Sequence, residues 1–360
     1  MANAQEAELH FPLGDALPPR GGVLEVAPGV RWVRMSLPFA LDHINLWLLR
    51  DRLDGREGWT LVDCGIADEG TRAQWEQVFA DHLQGLPVLR VIVTHMHPDH
   101  VGLAHWLTER WTTPGHECRL WMSAADYQTA RMAVISTGGV GGEAAARFFA
   151  RHGLLDPEAL EKVRARRNHF SSLVPRMPDR YRRLLDGLTV PIGGQGWTCL
   201  AGHGHAPEHM ALHAAGLGAL IAGDMVLPRI STNVSVGDQE PEANPLAMYL
   251  ASIERMRALP ADTLVLPSHG RPFVGLHTRI GQLQRHHDER LADALAACAK
   301  APCSAAELLP VLFRRPLDLH QTTFAMGEAV AHLHALQADG RVQCRLGSDG
   351  VLRFEAVGAA

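Results

Sequence analysis

The chain has 360 residues, 46% of them hydrophobic and 20% charged, with a formal net charge of −5 when histidine is neutral. This composition suits a packed globular protein long enough for one large domain plus a small one, and the acidic balance offers no global attraction to nucleic acid or to anionic membranes. The polar start from Met1 to Glu8 lacks the apolar core of a secretory signal, and no window approaches a transmembrane span. Six scattered cysteines form no C-x-x-C pair, so they read as reduced thiols of a cytoplasmic protein.

From about residue 23 to 123, short apolar strands at 30–34, 45–49, 60–62, 90–93 and 120–122 alternate with helical stretches near 70–83 and 101–110. The fourth strand runs directly into Thr94-His95-Met96-His97-Pro98-Asp99-His100. A strand end can aim side chains at a common point, and Pro98 stiffens the turn by fixing its own φ. Neutral histidine and ionised aspartate are ligands for zinc and similar divalent ions. With 21 histidines in the chain, a lone H-x-H would say little against a merely His-rich loop. The full H-x-H-x-D-H cluster after a strand is far more specific.

An insertion follows, about 124–187, with a glycine-rich break at Gly138-Gly139-Val140-Gly141-Gly142. It then reads as helical and basic through Arg164, Arg166, Arg167, Arg176, Arg180, Arg182 and Arg183. The plainer reading of these arginines is a solvated helical face. The sharper one is a lid in which Arg182 and Arg183 contact an anionic substrate, since the guanidinium fork suits phosphate and carboxylate.

Strand-rich sequence resumes from Val190 to about 275 and carries three further polar stops. These are Gly204-His205-Ala206-Pro207-Glu208-His209, the apolar run 220–222 ending in Gly223-Asp224, and the run 264–267 ending in Ser268-His269. After Asp224, Ser231, Thr232 and Asn233 either hydrogen-bond a substrate or form a turn, and a helix is expected over 245–259. From 281 to 300 a linking helix leads to Ser304 as an N-cap, a helix over 305–313, a longer one over 322–339 and a hairpin turning at 347–350.

The H-x-H-x-D-H cluster, the segment at 204–209 with Glu208 where glycine is usual, Gly223-Asp224 and the strand-borne His269 together resemble the metallo-β-lactamase superfamily of metal-dependent hydrolases. The resemblance implies an α/β fold, the αββα sandwich, in a catalytic domain over 1–280 that carries the helical insertion. Residues 281–360 would form a small C-terminal domain similar to the winged-helix appendage of some members. It also implies a dinuclear centre: one ion on His95, His97 and His205, the other on Asp99, His100 and His269, with Asp224 bridging. Asp63 matches the family's D-x-G turn and would orient a ligand by hydrogen bonding, its alternative being a turn cap. His209 would support the site, and His203 has no family counterpart.

Two ions, most simply zinc although iron and manganese accept the same ligands, would share a water and lower its pKa. The resulting hydroxide would attack an electrophilic carbonyl or phosphorus, with Asp99 orienting it or taking its proton. The resemblance is strongest to the glyoxalase-II-like branch and its winged-helix-bearing relatives. It points to a small ester-like bond, thioester ahead of lactone. The rivals are a nuclease or phosphodiesterase of the same fold and an iron-dependent persulfide dioxygenase. From residue 301 onward five arginines face six acids. The expected C-terminal domain therefore lacks the basic face that phosphate recognition needs, and reads as a packing or dimerisation module.

Overall fold

The computed structural model describes residues 5–136, 141–166 and 169–358. Gly138, Gly139 and Val140 of the glycine-rich run, and Arg167, lie outside the described residues.

The chain forms two compact units, the first comprising residues 1–135, 170–232 and 253–280. Its larger sheet takes seven strands in sequence order: β1 (Leu24–Ala27), β2 (Val30–Ser36), β3 (His43–Leu53), β4 (Arg56–Val62), β5 (Val88–Ile92), β6 (Arg119–Met122) and β7 (Tyr181–Arg183). The first four pair antiparallel and the rest parallel. Helices α1 (Glu69–His82), α2 (Pro98–Val101), α3 (Ala104–Trp111) and α4 (Ala124–Ile135) belong to this half. The second sheet has six strands, β8 (Thr189–Ile192), β9 (Gln195–Gly202), β10 (His209–Ala214), β11 (Ala219–Gly223), β12 (Leu264–Pro267) and β13 (Phe273–Val274), again in sequence order. It repeats the same winding, three antiparallel pairings and then a parallel step from β11 to β12.

Two cores explain why the strands read as near-continuous apolar runs. Because side chains alternate along a strand, Trp47 and Leu49 of β3 face the second sheet, where Val190, Trp197, Leu212, Ile221 and Leu266 meet them. Leu46 and Leu48 face outward onto Trp75, Val78 and Leu107 of the helices. A strand buried on both faces has no polar side to reveal its period. Midway along β5, Arg90 forms a buried ion pair with Asp51 at 2.7 Å, each about 1% exposed. Thr60 and the backbone N–H of Gly193 also donate to Asp51, and Arg90 donates to the Pro191 carbonyl, so the pair stitches the two sheets together.

The second unit gathers residues 136–169, 233–252 and 281–360. The remaining helices are α5 (Gly142–Arg151), α6 (Pro157–Ala165), α7 (His169–Leu173), α8 (Pro245–Arg255), α9 (Leu276–Lys300), α10 (Ala305–Leu312) and α11 (Leu319–Ala338), followed by the hairpin β14 (Val342–Leu346) and β15 (Leu352–Ala356). Ser304 caps α10 in a reciprocal box with Glu307, and Asp318 caps α11 with Gln321. Within this unit α9 and α11 are joined by a buried imidazole pair, His287 Nδ1 to His332 Nε2 at 3.3 Å.

The expectation of a helical insertion through 187 is corrected at its end. Residues 181–183 form β7, the edge strand beside β6, because Tyr181, Arg182 and Arg183 pair in register with Leu120, Trp121 and Met122. Gly141 is no loose hinge either: a Cβ there would fall 2.1 Å from the Arg166 carbonyl oxygen, so it serves close packing.

Candidate metal centre

The site is built where strands of both sheets end. Beyond β5 the chain turns through His95 and His97, and Pro98 opens the short helix α2 with His97 as its N-cap. That single turn places Asp99 and His100 opposite the two preceding imidazoles. The second sheet delivers His205 between β9 and β10, Asp224 at the end of β11 and His269 just after β12.

These seven residues fall into two ligand groups. One holds His95, His97, His205 and Asp224; the other holds Asp99, His100 and His269, with the donor atoms of each group all within 4.8 Å of one another. In the first, His95 Nε2 lies 2.9 Å from His97 Nδ1 and 3.2 Å from His205 Nε2. In the second, Asp99 Oδ2 lies 3.4 Å from His269 Nε2 and 3.7 Å from His100 Nε2. Asp224 faces both ways. Its Oδ2 is 3.3 Å from His205 Nε2, and its Oδ1 is 3.5 Å from both His100 Nε2 and His269 Nε2.

The far sides of these rings are held. His100 Nδ1 donates to Asp63 Oδ2 at 2.8 Å, and His269 Nδ1 donates to the His43 carbonyl at 2.7 Å, which leaves both Nε2 atoms to face inward. Asp63 itself sits at φ +64°, a left-handed conformation that aspartate tolerates. It also accepts from the N–H and hydroxyl of Thr94. His209 lies outside both ligand groups; its Nε2 accepts from the backbone N–H of Asp224 at 3.2 Å. Gly223 makes that approach possible, since at φ +53° a Cβ would fall 2.1 Å from His209 Nε2. His203 also stays outside the groups and bonds the Pro207 carbonyl.

The electrostatics divide in the same way. Burial, reinforced by neighbouring imidazoles, holds His95 and His97 well below the usual histidine range, so both are neutral donors. Burial also opposes charge on His100 and His269, but Asp224 with Asp99, and Asp63 at His100, outweigh it and raise both. These carboxylates demand a positive charge. Burial likewise opposes the charge on Asp224, and His269 and His100 overcome it to hold that carboxyl well below its ordinary range. Among the described residues, the fully buried Nε2 of His100 and Oδ1 of Asp224 have no hydrogen-bond partner. Two orphaned buried donor atoms 3.5 Å apart, among neutral imidazoles and ionised carboxylates, fit divalent cations.

Two supporting residues were not evident in the sequence. Buried Asp126 accepts from the N–H of Met96 at 2.7 Å and of Glu208 at 2.6 Å, clamping the His95–His97 turn to the His205 loop. Burial pushes its carboxyl up to about 6. Its spacing from Ser123, to which its own N–H is bonded, signals only a helix cap. Asn45 donates to the carbonyls of Pro267 and Gly270 and so fixes the His269 loop. Thr232, expected in a turn or against a substrate, donates to the Asp224 carbonyl.

The remaining candidates lie elsewhere. Arg182 is exposed on β7 with its guanidinium 4.2 Å from the Trp121 ring, and Arg183 is exposed beside it. Of the other insertion arginines, Arg164 pairs with Glu143 and Arg176 with Asp179. Ser231 is half-buried, two residues beyond Arg229. Asn233 belongs to the second unit, where it accepts from Ser235 and bonds the Glu328 side chain.

Two face-to-face mixed sheets with five imidazoles and two carboxylates gathered at their strand ends define a metal-dependent hydrolase. A family model described as metallo-beta-lactamase superfamily matches residues 40–269, and one described as metallo-beta-lactamase-like, C-terminal domain, matches 291–357. The chain belongs to the metallo-beta-lactamase superfamily. It is 56% identical to a beta-lactamase domain protein from Burkholderia ambifaria, over 99% of this chain and 100% of that one, with a TM-score of 0.93. The metallo-beta-lactamase family protein TTHA1429 from Thermus thermophilus is 28% identical over 92% of this chain and 100% of its own, with a TM-score of 0.73. The probable metallo-hydrolase YqjP of Bacillus subtilis (strain 168) is 26% identical over 85% of this chain and 92% of that protein. The superfamily generally binds two divalent metals, and the His/Asp cluster for them is present here.

Proposed function

We propose that this metal-dependent hydrolase works with two ions, most simply zinc, and cleaves a small ester-like bond, thioester ahead of lactone. The observation that carries the dinuclear reading is the placement of Asp224, one oxygen turned to each ligand group. His95, His97 and His205 would hold one ion and Asp99, His100 and His269 the other. A pair of divalent ions bound there supplies Lewis acidity, polarising the carbonyl under attack and acidifying water.

The chain's own residues do the positioning. Asp63 and the His43 carbonyl keep His100 and His269 in the orientation that presents Nε2. Asp126 keeps the two loops of the first group in step. Asp99 is the more exposed of the two carboxylates in the cluster, 19% against 11% for Asp224. It is the group that meets entering water and takes its proton.

The acidic balance of the C-terminal segment supports a packing or dimerisation role for its helix pair and winged-helix-like hairpin, rather than nucleic-acid binding. Six thiols, none of them in a disulfide, support a cytoplasmic setting.

The test is thiol release from a panel of acyl thioesters by zinc-loaded protein, with lactones in parallel and Asp224→Ala as control. Release by the wild type, abolished in the variant, is the expected result. Full activity of Asp224→Ala would overturn the dinuclear mechanism, and no turnover of any thioester or lactone would overturn the ester-like reading.

A further inference from the structure

Beside the metal centre lies a cavity of about 710 Å³ with His269 and His43 in its wall, together with Arg34, Arg229, Arg271 and the backbone of Gly270. This volume suits a small molecule. Its charges are not evenly spoken for. Arg271 is tied to Asp15 and to the Gly14 carbonyl. Asp42, which also lines it, is engaged by His43 Nδ1 at 2.6 Å and is 80% exposed at its side chain. Glu6 lines the outer wall on the N-terminal turn.

Arg34 differs from these. It is half-buried on β2, and among the described residues its guanidinium makes one long hydrogen bond, 3.5 Å to the Gly270 carbonyl. Its remaining N–H donors have no acceptor within hydrogen-bond distance among the described residues, although Glu6, Asp15 and Asp42 also line the cavity. Burial opposes the Arg34 charge and Asp42 supports it only from beyond ion-pair distance, so the cation is under-compensated, and an anionic ligand would make up the difference through a bidentate pair. Arg34 stands opposite Asn45 in the β2–β3 register, and Asn45 holds the loop that carries His269. The cation and the metal ligand are therefore fixed to one rigid corner.

We propose that this cavity is a carboxylate subsite, in which Arg34 anchors the anionic far end of a short acyl group whose reacting carbonyl sits at the metal centre. The reacting end rests on the hydrolase reading above; the anchoring does not need turnover. The substrate class is then a thioester of a dicarboxylic acid, which water splits into the free diacid and a thiol, or a lactone that carries a free carboxylate, which water opens to a hydroxy diacid.

The experiment is calorimetric binding of glutarate and butyrate to the zinc-loaded protein, as wild type, Arg34→Gln and Arg34→Lys. The two acids share a carboxylate for the metal end and differ in the second one. Wild type is expected to favour glutarate by about ten-fold, the margin a charge-assisted hydrogen bond provides. In Arg34→Gln the ratio falls to near one, and Arg34→Lys restores part of it because charge survives without the planar fork. An unchanged ratio in Arg34→Gln, including a parallel loss of both acids, would overturn the subsite. Turnover separates the two readings. A lasting glutarate margin with no thioester or lactone hydrolysis removes the ester-like function alone, whereas butyryl-thioester turnover without the margin removes only the subsite.

Discussion

Asp63 illustrates how much of the centre depends on residues that never touch a metal. Its carboxylate fixes the tautomer and direction of His100, so Asp63→Asn, which keeps the left-handed backbone comfortable, is expected to weaken metal binding by about 10- to 100-fold. Competition with a chromophoric chelator measures this, and unchanged affinity would show that His100 needs no orienting partner. The seven candidate ligands were legible because a metal accepts only a few side-chain types, and strand ends space them in a recognisable way. Asp126 and Asn45 were not legible, because both act by bonding backbone N–H or C=O groups, which every residue offers. Arg182 and Arg183 misled for a related reason: a basic run looks alike on a helix or an edge strand, and only its pairing with β6 decides.

At the scale of elements, the two core layers and the buried ion pair make separable claims. Asp51→Ala leaves Arg90 charged and buried between β3, β5 and β8, and should cost about 3–5 kcal/mol of stability. Urea unfolding reads that loss; a cost under about 1 kcal/mol would mean that water reaches Arg90. In the second unit, burial holds His287 at about 3 and His332 at about 4, both below the ordinary 6.5. Because the folded values are depressed, their contribution is whole above pH 6.5 and is lost as pH falls toward 4 and below. His287→Phe should reduce the proton uptake on unfolding in that window by about one, as measured by stability across pH 4–7. The strands and helices of this scale were largely legible from apolar runs and caps, Ser304 with Glu307 among them. Edges were less so, since β7 is three residues long and carries two exposed arginines that mask its period.

For the whole molecule, charge and metal make the testable statements. A net charge of −5 predicts no binding of RNA or DNA at 150 mM salt, roughly physiological ionic strength, and fluorescence anisotropy with labelled oligonucleotides decides it. Chelation should lower the melting temperature, with dose-dependent recovery on adding zinc, because ligands that bind only the folded state stabilise it by mass action. A melting temperature indifferent to chelator would mean that the buried donors of His100 and Asp224 are satisfied without an ion. Neither ligand group belongs to one sheet: His95, His97, Asp99 and His100 leave the first, and His205, Asp224 and His269 leave the second. A chain still being synthesised therefore cannot complete the first group until residue 224 has emerged, nor the second until residue 269 has. Loading of the proposed dinuclear centre would accordingly be a late step in the protein's biogenesis, and a polypeptide arrested before His269 would leave the ribosome with half a centre and no means of closing it.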